Sequence, residues 1–350
     1  MFRCMKMSRK AFIIGYYGSE NWGDELILSK TIKMLNKHIL LDDISALSYS
    51  VDHTAKHHGI RGVSRNHFLG ILKEIIKTDY LVGGGGSMLQ NVTSNRSLLY
   101  YLVILNLGVI FRKKVILLGN GMGPIQGKWQ EWCVKKTLKK LHYVHLRDPL
   151  SYDWVSEYRK APTTLGCDLA FEDTRPKLKQ YSEHHIVINL RQWHCHPSFL
   201  DVIKQVVIRL KSKGYLVSLV SMQDKQDRSV LEVLGEVQCF NRLEDLMAMI
   251  DSSTLVLGMR LHALVLASMY EKPFIGLSYD PKVSQFCETF EQPYFEVNHP
   301  INEEELFNTM DAILGEYEDQ VNKVAKKTQS CILANEQMIN DIDEIMGENA

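Results

Sequence analysis

Gly258-Met259-Arg260-Leu261-His262-Ala263-Leu264, continued by Gly276-Leu277-Ser278-Tyr279-Asp280-Pro281-Lys282, is the stretch from which the fold is read. The short apolar runs Thr254–Gly258 and Pro273–Leu277 have strand character, and Leu261–Tyr270 between them has the length of a helix. Strand, helix, strand in that order is a βα unit of a parallel sheet. Arg260, His262 and Lys282 then fall just past the ends of two strands, where open α/β sheets hold their ligands. Two permanent cations around one titratable imidazole suit a small, highly charged anion that must also exchange a proton.

Working outward, the same alternation recurs through most of the chain. Toward the N-terminus, strands are expected near Ala11–Gly15, Tyr80–Gly83, Val115–Gly119, His142–Leu146 and Thr164–Asp168. Helices follow at Asp24–Lys37, Arg96–Val109, Lys128–Leu141 and Ser151–Glu157. Glu172–Glu183 is polar, contains Pro176, and reads as a linker. Beyond it the pattern restarts with His185–Leu190, a helix over Ser198–Lys213 stopped by Gly214, a strand at Tyr215–Ser221, and helices at Leu243–Ile250 and Ile301–Leu314. The fold class is therefore α/β, with two doubly wound Rossmann-like domains facing each other across a cleft. The domains are read as 1–172 and 173–315, followed by a helical tail over 316–350 that packs back on the first.

Composition narrows the function classes. The 350 residues are 45% apolar with 9 prolines, which describes a folded globular chain. Lys plus Arg and Asp plus Glu stand at 41 each, so no global field draws the protein to nucleic acid or to an anionic bilayer. An anion site must be local. The seven cysteines, at 4, 133, 167, 195, 239, 287 and 331, have no paired spacing and read as reduced thiols. The apolar run after the basic start ends at Ile14, short of a signal peptide, and no stretch approaches the roughly 20 apolar residues that span a bilayer. A soluble cytoplasmic protein is expected.

Four loops follow strands. Gly15–Glu25 turns into a helix near Asp24 and lacks the G-x-G-x-x-G spacing of a dinucleotide site; Asn21, Asp24 and Glu25 make it a ligand loop. Gly83-Gly84-Gly85-Gly86-Ser87 costs about 1 kcal/mol per glycine relative to alanine in a regular element, a cost that suggests function. Gly84, Gly85 and Ser87, with Arg96 at the next helix, belong with Asn21, Asp24 and Glu25 as residues that would approach a bound group closely. The third loop is Gly119–Pro124. In the fourth, Arg147-Asp148, Arg147 ends a strand as a planar cation able to grip a carboxylate or phosphate. Arg191 has the same placement in the second half. His194 and His196 could share a face around Cys195, but no further ligand has fitting spacing, so no metal is expected. His53, His57 and His58 read as solvated loop residues.

Taken together, Gly15–Glu25, Gly84–Tyr101, Gly119–Pro124, Arg147-Asp148 with Ser151, Gly258–Ala263 and Ser278–Val283 resemble the polysaccharide pyruvyl transferase family, most closely its bacterial CsaB-type members. The resemblance runs from Ala11 to Val283. It implies a fold like that of GT-B glycosyltransferases and transfer of a pyruvyl group from phosphoenolpyruvate to a sugar as a cyclic ketal. By the same resemblance the acceptor is N-acetylmannosamine of a secondary cell-wall polymer precursor, lipid-linked at the inner face of the membrane. No cofactor beyond the donor substrate is implied, and any membrane contact is peripheral, through the acceptor. His262 would be the acid/base, Arg260, Lys282 and Arg147 would hold carboxylate and phosphate, and Arg191 and Ser278 would assist the donor. Asn91 and Asn120 depart from the family, where Asp and Gln are usual. The alternatives are a GT-B nucleotide-sugar glycosyltransferase and a non-catalytic glycan-binding protein.

Overall fold

Strands buried on both faces form two parallel sheets, seen in a computed structural model that describes residues 9–92, 94–171 and 184–347. The linker expected at Glu172–Glu183 lies outside the described residues. Two compact units result, one of residues 1–172 with 331–350 and one of 173–330.

The first unit runs β1 (Ala11–Tyr17), α1 (Trp22–Leu35), β2 (Ile44–Ser48), α2 (Val51–His58), β3 (Arg61–Ser64), α3 (Phe68–Lys77) and β4 (Tyr80–Gly83). It continues with α4 (Asn95–Ile110), β5 (Lys114–Asn120), α5 (Lys128–Leu138), β6 (Tyr143–Leu146), α6 (Pro149–Ser156) and β7 (Thr163–Leu165). The sheet order is β3-β2-β1-β4-β5-β6-β7, and every neighbouring pair is parallel. Side chains alternate between faces. Phe12, Ile14, Leu81, Val115 and Leu117 point into the core beneath α3 to α6. Ala11, Ile13, Val82, Ile116 and Leu118 point into the opposite core, beneath α1.

The second unit runs β8 (His185–Asn189), α7 (Phe199–Ser212), β9 (Leu216–Val220), α8 (Asp224–Leu231), β10 (Val237–Gln238) and α9 (Leu243–Asp251). After these come β11 (Leu255–Gly258), α10 (Leu261–Met269), β12 (Phe274–Ser278), α11 (Pro281–Thr289), β13 (Tyr294–Glu296) and α12 (Glu303–Gly315). The parallel sheet has the order β10-β9-β8-β11-β12-β13. Helix α10 is apolar nearly all round, as befits a helix buried on every side, and His262 alone in it is not fully buried. A last helix, α13 (Tyr317–Gly347), ends the described chain; its Met338, Ile342 and Met346 are buried in the first unit's core.

Several elements differ from the sequence reading. Residues 44–77, left without elements, carry β2, α2, β3 and α3, so His53, His57 and His58 lie on a helix and not in a loop. The strand expected over Thr164–Asp168 stops at Leu165, and Asp168 sits in the turn beyond it, where its side chain is free to face Arg147. Helix α11, which the sequence reading left unassigned, is capped by Asp280, with Pro281 at its first position, where a missing N–H costs nothing.

Candidate active site

Each sheet has one switch point, where neighbouring strands connect in opposite directions and leave a crevice beyond their carboxyl ends. In the first unit it lies between β1 and β4, and in the second between β8 and β11. Each of these four strands is followed by residues that the sequence singled out, while the Gly119–Pro124 and Arg147-Asp148 loops follow β5 and β6.

In the second unit the crevice is edged with cations. Arg260 caps α10, and its backbone N–H is held by Asn189 Oδ1 at 3.1 Å. Its guanidinium binds Asp227 side-on, Nε to both carboxylate oxygens at 2.9 and 2.8 Å and Nη2 to Oδ1 at 2.6 Å. Asp227 is fully buried and also accepts from the N–H groups of Met222 and Gln223, each at 3.0 Å. The pairing leaves Nη1 of Arg260 without a hydrogen bond among the described residues. Gln226 Oε1 joins two arginines, accepting from Arg191 Nη2 at 2.7 Å and from Arg260 Nη2 at 3.4 Å.

Arg191 in turn donates from Nη1 to the Tyr279 hydroxyl at 2.9 Å. Its guanidinium carbon lies 4.9 Å from the Tyr279 ring centre and 5.0 Å from that of Trp193, close enough for cation–π attraction. Arg191 Nε is a buried donor with no partner among the described residues. Lys282, on the first turn of α11, brings Nζ to 5.9 Å from the same Tyr279 ring and 3.6 Å from Asp280. Ser278, at the end of β12, donates to Asp280 O at 3.3 Å. The result is a linked row, Arg260, Gln226, Arg191, Tyr279, Lys282, across the strand ends, with His262 on the first turn of α10.

The first unit is organised differently, because its polar groups satisfy one another. Glu25 is fully buried and accepts from Gly18 N–H at 2.8 Å while His58 Nε2 sits 2.7 Å away, so it fastens its own loop instead of presenting a carboxylate. Asn21 donates to Asp24 at 2.5 Å. Beside His58, burial and the neighbouring His53 lower the affinity of His57 for a proton. Arg147 is nine-tenths buried, donates to Asp168 at 2.7 Å, and reaches Ser87 Oγ at 3.3 Å. Asp148 caps α6 through Ser151 N–H at 2.8 Å, and Ser151 Oγ accepts from Met122 N–H at 2.7 Å, which ties α6 to the Gly119–Pro124 loop.

The glycine run has a packing cause. A Cβ at Gly84 would lie 1.9 Å from the Tyr17 hydroxyl, and one at Gly15 would lie 2.4 Å from the same ring. Tyr17 is buried under both strand ends, where burial, followed by the charge of Asp24, holds its hydroxyl protonated well above the usual range. Asn120 supports the run from below by donating to Gly83 O and Gly84 O at 3.4 and 3.3 Å. Asn91 uses both ends of its amide, donating to Gln126 O at 2.8 Å and accepting from Gln126 N–H at 2.7 Å. A carboxylate could not make both bonds, which gives the first departure from the family a structural reason.

The structure thus links Arg260, Arg191, Lys282 and Ser278 in one unit, with His262 on the adjoining turn, and joins Arg147 to Ser87 in the other. Arg96 stays exposed at the start of α4 and makes no side-chain bond among the described residues. Asp227, Gln226, Tyr279, Trp193 and Asp168 escaped the sequence reading. Asp227 and Gln226 lie on α8, a short and mostly polar helix that the sequence reading left unassigned.

The fold is that of GT-B sugar enzymes. S. aureus MnaA in a co-structure with UDP matches with a TM-score of 0.67 and 11% identity, over 97% of each chain. A putative UDP-N-acetylglucosamine 2-epimerase from Listeria monocytogenes matches with 0.67 and 12%, also over 97% of each. The spinosyn rhamnosyltransferase SpnG complexed with thymidine diphosphate matches with 0.53 and 9%, over 92% of this chain and 96% of that one. No curated protein sequence matches significantly. The family model described as polysaccharide pyruvyl transferase matches residues 21–281, from the end of the first loop to the start of α11, and the chain belongs to that family.

Proposed function

We propose that this transferase uses phosphoenolpyruvate as donor and forms a cyclic ketal on a sugar, releasing phosphate. His262 delivers a proton to the donor's methylene carbon, the adjacent carbon becomes an oxocarbenium centre, and one sugar hydroxyl adds to it. Phosphate departs, the second hydroxyl closes the ring, and the hydroxyl protons pass to base and phosphate. Arg191 and Lys282 hold the donor's carboxylate and phosphate and stabilise the leaving group. Arg260, fixed by Asp227, is a positioning residue that offers Nη1 to the anion. The first unit takes the acceptor on its glycine-lined loops, with Arg147 holding Ser87 in place. Following the CsaB-type resemblance, that acceptor is N-acetylmannosamine of a lipid-linked cell-wall polymer precursor.

The observation that carries this reading is the row of cations beside His262, in which Arg191 retains an unsatisfied buried N–H. Incubation of the purified chain with phosphoenolpyruvate and a lipid-linked N-acetylmannosamine disaccharide tests it. Phosphate release with a ketal product in the mass spectrum is expected. Turnover only with a nucleotide sugar, releasing nucleoside diphosphate, would replace it with glycosyl transfer; sugar binding without any product would point to a glycan-binding protein.

A further inference from the structure

Helices α4 and α5 lie side by side on one face of the first unit. Gln130 Nε2 donates to Asn95 Oδ1 at 3.4 Å, and Asn106 Nδ2 donates to Thr137 Oγ1 at 2.8 Å, so the two run in step. On α5, Trp129, Trp132 and Lys136 recur at the spacing of one helical stripe, turned away from the buried Val134, Thr137 and Leu138, and exposed Lys140 follows in the turn after the helix. Both indoles face outward, Trp129 being 56% and Trp132 55% exposed. The neighbouring α4 exposes Val103 and Ile110, and Phe111 just after it is also exposed, Ile110 to 68%.

An indole pair on a soluble surface is costly unless something covers it. The charge around it states the chemistry of that cover. Residues 128–140 hold Lys128, Lys135, Lys136, Lys139 and Lys140 against the one acid Glu131, which Lys135 engages at 2.6 Å. Among the described residues no carboxylate pairs with the other four lysines. Arg112 and Lys113 follow at the end of α4. In a chain with equal numbers of acids and bases, this is a local excess of positive charge around exposed tryptophan. A two-fold contact between copies would set lysine row against lysine row, which like-charge repulsion opposes. A surface of anionic headgroups over an apolar layer satisfies both the indoles and the lysines.

We propose that the α4–α5 face is a peripheral docking surface for a bilayer carrying anionic phospholipid. Trp129 and Trp132 enter the headgroup boundary, and Lys136, Lys140 and their neighbours lie against the phosphates. This claim stands apart from the donor and acceptor assigned above, and vesicle binding tests it without any turnover.

The full chain is sedimented with vesicles of phosphatidylcholine alone and of phosphatidylcholine mixed with phosphatidylglycerol, at low and high salt. Binding to the mixed vesicles, weakening as salt rises, is expected. Lys136→Glu with Lys140→Glu should lower the partition coefficient at least about 30-fold, from the usual contribution of two basic residues near an anionic surface. Trp129→Ser with Trp132→Ser should lower it on the order of tenfold through lost apolar burial. Lys204→Glu with Lys211→Glu, on the second unit, should leave it unchanged, and circular dichroism should show all variants folded. The proposal fails if the wild-type chain stays in solution with the mixed vesicles, or if the Lys204 and Lys211 pair weakens binding as much as the Lys136 and Lys140 pair. It fails equally if sedimentation equilibrium finds a dimer that the tryptophan variant dissolves, in a chain that ignores vesicles.

Discussion

The two units share one architecture and put opposite chemistry at its business end. At the first switch point the polar groups satisfy one another: Glu25 bonds with His58, Arg147 pairs with Asp168, and Asn21 donates to Asp24. The second also buries one cancelled pair, Arg260 with Asp227, but strings further cations beyond it and leaves the Nε donor of Arg191 unsatisfied. Buried polar groups that lack partners carry a free-energy cost, which a ligand of the right charge can remove. Under the proposed function, this difference assigns the anionic donor to the second unit. Under the same proposal, the glycine-lined loops of the first unit take the acceptor's hydroxyl groups.

The strongest way to break this contrast is to uncover the second unit's buried charge. Asp227→Ala leaves Arg260 buried and unmatched, and should destabilise that unit by about 3–5 kcal/mol in urea denaturation. A loss under about 1 kcal/mol would mean that the guanidinium is better solvated than its burial indicates. His262→Ala should lower turnover at least about 100-fold if the side chain transfers the proton as proposed, with circular dichroism showing the variant folded. Near-normal turnover would remove it from the mechanism.

In the first unit the expected effects are those of packing. Gly84→Ala drives a methyl group into the Tyr17 hydroxyl and should cost about 1–3 kcal/mol. Tyr17→Phe removes a buried hydroxyl that has no described partner, so by itself it should be neutral or stabilising, and in the double variant it should restore part of the loss. Additive losses would show that the glycine is required by something other than this ring.

The smallest effect sharpens the comparison through pH. Burial pushes His145, whose Nδ1 accepts from Gly119 N–H at 3.0 Å behind the glycine loop, down to about 4. It stays neutral in the folded chain while the unfolded chain takes up a proton below its usual 6.5. Its contribution is therefore complete above that pH and declines as pH falls toward 4, by about 1.4 kcal/mol per unit. Urea midpoints measured from pH 7 to 4.5 should fall more steeply for the wild type than for His145→Gln.

Much of this was legible in sequence because strand position and loop chemistry are local. The run Tyr80–Gly83 matched β4 to the residue, and Gly258 with Arg260 marked the end of β11, because short β-branched runs halted by glycine leave few other readings. What stayed hidden depends on residues remote in sequence. Nothing near Arg147 announces Asp168, or near Arg260 announces Asp227, so both arginines read as free clamps when each is already matched by a carboxylate. His58 read as solvated because α2 is short and mostly polar; only the packing against Glu25 reveals it as buried.

Hydrogen–deuterium exchange of the intact chain, with and without phosphoenolpyruvate, tests the central claim most directly. The account predicts slowed exchange in residues 190–198, 259–263 and 278–283, with the loop at 83–90 unchanged. Protection confined to 83–90 and 119–124, or none anywhere at saturating donor, would contradict it.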